Sequence, residues 1–140
     1  MHRIPPLALL LLAACSSGGP TDAPSPSVGP EGPVPAAAPV VLRNATSDPL
    51  AYVAVGEGAL ALIDLRPTLA RGEYEDRLVG AGDSRPVDDI IAYTPGNGVG
   101  FHLYRVDPVS GAARYAHFLL ATATELARNG GLVTVTAVGP

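Results

Sequence analysis

The 140-residue chain has one cysteine, no lysine, no tryptophan and only two phenylalanines. With Cys15 alone, no disulfide can form within the chain, so any domain must be held by its apolar core. A net charge of −4, without lysine or any run of arginines, excludes the basic footprint of a nucleic-acid binder. No apolar run approaches the ~20 residues of a membrane-spanning helix. The longest, Leu7 to Ala14, is far shorter.

The amino terminus nevertheless has an ordered pattern. Met1-His2-Arg3 carries one firm positive charge, Leu7 to Ala14 is greasy, and Cys15 is followed by Ser16, Ser17 and two glycines. A charged start, a short apolar stretch and small residues before a cut site make an export signal. Leu12-Ala13-Ala14-Cys15 resembles the lipobox of bacterial lipoproteins: leucine, two small residues, cysteine. That resemblance implies a diacylglycerol thioether on the Cys15 thiol and cleavage between Ala14 and Cys15, with a possible third acyl chain on the new amino terminus. Each buried CH₂ adds roughly 0.8 kcal/mol of membrane affinity, so two or three chains anchor firmly. In the same family a serine after the cysteine, here Ser16, implies release to the periplasmic face of the outer membrane in two-membrane bacteria.

Residues 1–14 therefore read as a lipoprotein signal peptide and residues 15–39 as a lipid-anchored linker. From Ser16 the linker is Pro, Gly, Ser and Ala with few apolar side chains. Such a segment cannot bury enough surface to offset chain entropy and is expected to be disordered. Proline keeps it semi-extended, and at ~3 Å per residue its reach is about 70 Å at most.

Residues 40–140 read as a single domain. Short apolar runs alternate with Gly, Pro, Asn and Asp: Val40–Asn44, Leu50–Val55, Ala59–Leu65, Val87–Tyr93, Val99–Asp107, Ala113–Leu120 and Leu132–Val138. Runs of this length and spacing predict an all-β fold, an immunoglobulin-like β-sandwich of about seven strands. Ala59–Leu65 also suits a helix, since short apolar runs are ambiguous. Thr122 and Glu125 have capping-box spacing, and Asn129-Gly130 supplies a stop, so one short helix is expected near the carboxyl end.

Chemistry-bearing motifs are sparse. Gly56-x-Gly58-x-x-Ala61 has the spacing of a dinucleotide-binding turn, but no second strand with an acid at the right distance follows. Ser110 lies in a turn without a G-x-S-x-G elbow. The acids Glu73, Glu75, Asp76, Asp83, Asp88 and Asp89 lack the spacing of a calcium loop. Asn44-Ala-Thr46 matches a glycosylation sequon and better serves a turn.

The best constellation is the hairpin Phe101–Phe118. If Pro108–Gly111 is its loop, Asp107 pairs with Ala112, and an uninterrupted register then sets Tyr104 opposite Tyr115 and His102 opposite His117. Opposed side chains have Cβ atoms ~4.5–5.5 Å apart, so the two imidazoles suit a shared metal ion or a protonation switch. His102, Tyr104, Tyr115 and His117 form the candidate binding face. The residues carry no catalytic set and no cofactor motif. The expected function is a non-enzymatic, membrane-anchored envelope lipoprotein that binds an envelope protein or cell-wall partner. The alternative is a metal-binding or pH-sensing lipoprotein using His102 and His117.

Overall fold

The computed structural model describes residues 38–139. The lipobox, Cys15 with its cleavage position after Ala14, and the linker through residue 37 lie outside the described residues. Eight strands form two sheets, the all-β sandwich-like arrangement expected from the sequence.

Strand β1 (Val41–Asn44) leads into β2 (Leu50–Gly56), and a 3₁₀ helix follows at Glu57–Leu62. Two-residue strands β3 (Thr68–Leu69) and β4 (Leu78–Val79) flank two single 3₁₀ turns, Arg71–Glu73 and Glu75–Arg77. Next come β5 (Ser84–Pro86), β6 (Val99–Val106), β7 (Ala113–Ala121), helix α1 (Ala123–Arg128) and β8 (Leu132–Val135). The larger sheet runs β3-β7-β6-β2-β4 and is antiparallel throughout. The smaller runs β5-β1-β8, with β1 and β8 parallel.

The main core lies between the sheets. Leu42 of β1 and Val133 of β8 meet Leu50 and Tyr52 of β2 and Phe101 and Leu103 of β6. A smaller cluster of Ala51, Leu69, Tyr74, Tyr104 and Ala113 lies on the other face of the larger sheet, under the loop from Arg66 to Arg77. Strand β2 is thus covered on both faces, which explains why Leu50–Val55 is a continuous apolar run without alternation. Leu132–Val135 is covered on one face only and alternates exposed with buried.

Two expected strands take another form. Most of Ala59–Leu65 is the 3₁₀ helix, the helical side of that ambiguity. Gly56 at its start permits close approach: a Cβ there would run into the Ala92 carbonyl. Val87–Tyr93 contributes only a single parallel bridge, Val55 with Ile91. Its Asp88 and Asp89 are solvated, Asp89 pairing with Arg77 at 2.6 Å. The expected helix is present as α1. Glu125 N donates to the Thr122 hydroxyl (3.3 Å), and Thr122 N donates to the Glu125 carboxylate (2.9 Å).

Asn44 ends β1 fully buried. Its Nδ2 donates to the Asp48 and Val79 carbonyls at 2.7 and 3.1 Å. Its Oδ1 accepts from the backbone N and hydroxyl of Thr46 at 3.0 and 2.7 Å. The amide closes the turn into β2 and ties it to β4.

Candidate functional site

The hairpin at the centre of the larger sheet carries the expected site. Its loop is built by Asp107, whose Oδ1 accepts from Val109 N (2.7 Å) and Ser110 N (3.1 Å). These two donors hold its carboxyl below the ordinary aspartate range. Asp107 N donates to the Ala112 carbonyl at 2.9 Å, so the turn-proximal register is the expected one. Tyr104 faces Tyr115 and Arg105 faces Arg114.

Above Tyr104 the ladder slips. A bulge in β7 inserts one residue, so Leu103 pairs with His117 and His102 with Phe118. The expected His102–His117 pair is therefore corrected: one extra residue moves His117 to the face opposite His102. Among the described residues no group of three His, Cys, Asp or Glu side chains is placed to hold a metal, and the metal alternative lacks its ligand pair. Phe118 takes the position assigned to His117. The run Phe118-Leu-Leu-Ala121 contains the signal for this slip, because four consecutive apolar residues cannot alternate between a core face and a wet one. After the bulge Leu119 and Ala121 turn to the main core.

Three of the four predicted residues do come together on the outer face. The Tyr104 and Tyr115 rings meet edge to face, centroids 5.5 Å apart and planes at 82°. His102 lies 4.8 Å from Phe118 and 6.1 Å from Tyr115. Tyr104 is buried and its hydroxyl donates to the Arg66 carbonyl at 3.0 Å, while burial raises its phenol pKa. Tyr115 and Phe118 remain open, at 41% and 38% exposure. Gly100 keeps room beside them: a Cβ there would strike Leu60 of the 3₁₀ helix and the Phe118 ring.

The edge of β7 adjoins this face. Strand β3 pairs only with Ala113 and Arg114, and Tyr115 N donates to the Pro67 carbonyl at 2.9 Å. Among the described residues no strand lies beyond Ala116–Leu120 on that side. Alternate residues there turn peptide groups outward, as an edge strand must.

His102 is only 7% exposed, and neither ring nitrogen has a hydrogen-bond partner. Burial pulls its pKa below the ordinary histidine value, so the ring is neutral at pH 7 and packs as an aromatic. The stability consequence has a definite sign. Between the folded value and the unfolded value of about 6.5, the unfolded chain binds more protons, so stability rises with pH. The contribution is complete above about pH 6.5 and is lost as pH falls through the folded value. Urea titrations at pH 5 and 7 are expected to show a weaker domain at pH 5. In His102→Leu that difference should shrink, and an unchanged difference would remove His102 as its source.

No family model matches the chain, and neither does any curated protein or solved structure.

Proposed function

We propose that the chain is a membrane-anchored cell-envelope lipoprotein. In this reading the lipidated Cys15 supplies the anchor, and the β-domain is a non-enzymatic module that binds an envelope or cell-wall partner. The observation that carries the binding role is the open apolar face of Tyr115 and Phe118 beside an unpaired stretch of β7. Soluble proteins normally blunt such edges with charge. Here no Asp, Glu, Lys or Arg occurs from Tyr115 to Thr124. An extended segment added to this edge would gain main-chain hydrogen bonds and rest alternate side chains against the two rings. The anchor rests on the resemblance of Leu12-Ala13-Ala14-Cys15 to a lipobox, and among the described residues no helix is long and apolar enough to cross a membrane.

Site-specific photocrosslinking in cells tests this reading. A photoreactive phenylalanine analogue at Phe118 is expected to give one discrete adduct. The same analogue at Val109, 94% exposed on the hairpin loop, should give none. In Cys15→Ala the chain should leave the membrane fraction and the adduct should fall. Equal labelling from both positions would defeat the binding face. A Cys15→Ala chain that stays in the membrane would defeat the anchor.

A further inference from the structure

On the face of the hairpin opposite the tyrosines, two arginines stand directly across from one another. We infer that Arg105 and Arg114 form a binding site for a carboxylate group. They are a register pair of β6 and β7, one step toward the loop from Tyr104 and Tyr115, on the bulge-free side. Adjacent pairs alternate between faces, so the arginines and the tyrosines occupy opposite sides of the sheet. Opposed Cβ atoms lie ~4.5–5.5 Å apart, and like charges at that spacing destabilise the ladder unless a counter-charge reaches both.

The described residues supply little of that counter-charge. Arg105 Nη2 donates to the carbonyls of Val138 and Gly139 at 3.4 and 3.2 Å, which are neutral acceptors. Asp48 Oδ2 is 3.8 Å from Arg105 Nε, too far for a hydrogen bond, and that Nε is buried without a partner. Asp107 is the other nearby acid; its charge is felt at Arg114, but its Oδ1 is held by the backbone N–H groups of Val109 and Ser110 and it makes no ion pair within 4 Å among the described residues. Arg114 makes no ion pair within 4 Å among the described residues. Elsewhere in the domain Arg66, Arg71 and Arg77 each pair with an acid: Glu73, Glu75 and Asp89. Arg43, Arg85 and Arg128 also make no ion pair within 4 Å among the described residues, but only Arg105 and Arg114 stand directly opposite each other in the ladder.

A cleft of about 570 Å³ opens over these two residues, bordered also by Asp48, Asp107, Tyr115 and Gly139. A planar guanidinium fork matches the two oxygens of a carboxylate, and two forks on facing strands can share one. The rim acids Asp48 and Asp107 favour a single negative charge over a dianion, since a phosphate would face both of them. The matching ligand is therefore a carboxylate, either a free small acid or the end of a peptide chain. The two arginines lie on the sheet face opposite Phe118; Tyr115 also borders the cleft, and crosslinking from Phe118 tests the other face independently of Arg114.

The test follows the arginine Nε–H resonances of the ¹⁵N-labelled full-length chain in detergent. Sodium acetate and N-acetyl-alanyl-alanine are the carboxylate probes, with sodium chloride and inorganic phosphate as controls at matched ionic strength. Saturable shifts of Arg105 and Arg114 with a carboxylate probe are expected, and the tighter probe identifies the source. Arg114→Gln should weaken binding by about tenfold or more, the loss of a charge-assisted hydrogen bond. Arg114→Lys, which keeps the charge and loses the fork, should recover only part of it. Linear shifts equal to those with chloride would overturn the site. Tighter binding of phosphate would overturn the assignment to carboxylates, and undiminished binding in Arg114→Gln would exclude the paired arrangement.

Discussion

Asn44→Asp is expected to leave the domain largely unfolded at 37 °C. The native amide donates two hydrogen bonds to backbone carbonyls and accepts two from Thr46, all at a fully buried position. An aspartate there turns an oxygen toward the Asp48 and Val79 carbonyls. It must then either bury a charge against two acceptors or take up a proton that satisfies only one of them. Asn44→Ala is milder but still costly, because two carbonyls lose their donor. Each unsatisfied buried group costs about 1–3 kcal/mol, so about 3–5 kcal/mol is expected in total. Domains of this size have only about 5–15 kcal/mol to lose. Circular-dichroism melts would then show Tm falling by about 15 °C or more for the alanine variant. Thr46→Val removes the hydroxyl bonds to Asn44 Oδ1 and the Asp48 carbonyl, at the exposed side of the turn, and should cost much less. Comparable losses for Asn44→Ala and Thr46→Val would mean that the buried amide is not what closes this turn. The same burial answers the sequon at Asn44: its side-chain nitrogen is committed to the fold.

The features that were legible in the sequence have strong local causes. Strands β1, β2, β6, β7 and β8 were foreshadowed because each is a mainly apolar run set off on at least one side by glycine, proline or aspartate. Helix α1 was legible because Thr122 and Glu125 satisfy each other's end of the first turn. The hairpin register was legible at its closed end, where Asp107 builds the loop. It holds for three more pairs and then slips, since a bulge is a response to packing on both sides of β7, signalled only by the unbroken apolar run Phe118–Ala121. Leu119 reaches the main core only if one residue is passed over, and no turn residue marks the place. Strands β3, β4 and β5 escape prediction for a different reason. Two or three residues display no periodicity, and what makes them strands is the edge each one meets. The structure accounts for several of the acidic residues by local pairing. Glu73 accepts from the Ala70 backbone N at 2.7 Å and pairs with Arg66, while Glu75 pairs with Arg71. The backbone bond from Ala70, reinforced by Arg66, holds the Glu73 carboxyl below its ordinary range. The candidate site was legible as a face and in one of its two pairings: Tyr104 faces Tyr115 as expected, but the partner of His102 is Phe118.

Phe101→Ala is expected to cost about 3–5 kcal/mol, the usual range for emptying a buried phenylalanine site. The ring sits at the centre of β6, fully buried, with its edge toward Tyr52 at a centroid distance of 6.3 Å. Its core neighbours are mainly leucines and valines on β-strands, whose hydrogen-bonded backbones cannot easily shift to refill the space. Only one other phenylalanine exists in the chain, Phe118, and it lies on the outer face, so no second ring backs up the first. No disulfide can limit the loss, because the described domain contains no cysteine. Phe101→Leu keeps most of the volume and should lose far less than the alanine variant. Urea unfolding of the three proteins checks the ranking, and near-equal midpoints for Ala and Leu would mean that the core collapses around the missing ring. The position also separates stability from recognition. Phe101 neighbours His102 in sequence but points into the sandwich, whereas His102 and Phe118 point outward. Phe101→Leu should therefore leave crosslinking from Phe118 unchanged under conditions where the domain stays folded. If crosslinking fell in step with the lost stability, the outer face would owe its shape to the core packing beneath it. The open edge of β7 would then be a consequence of how tightly the two sheets close.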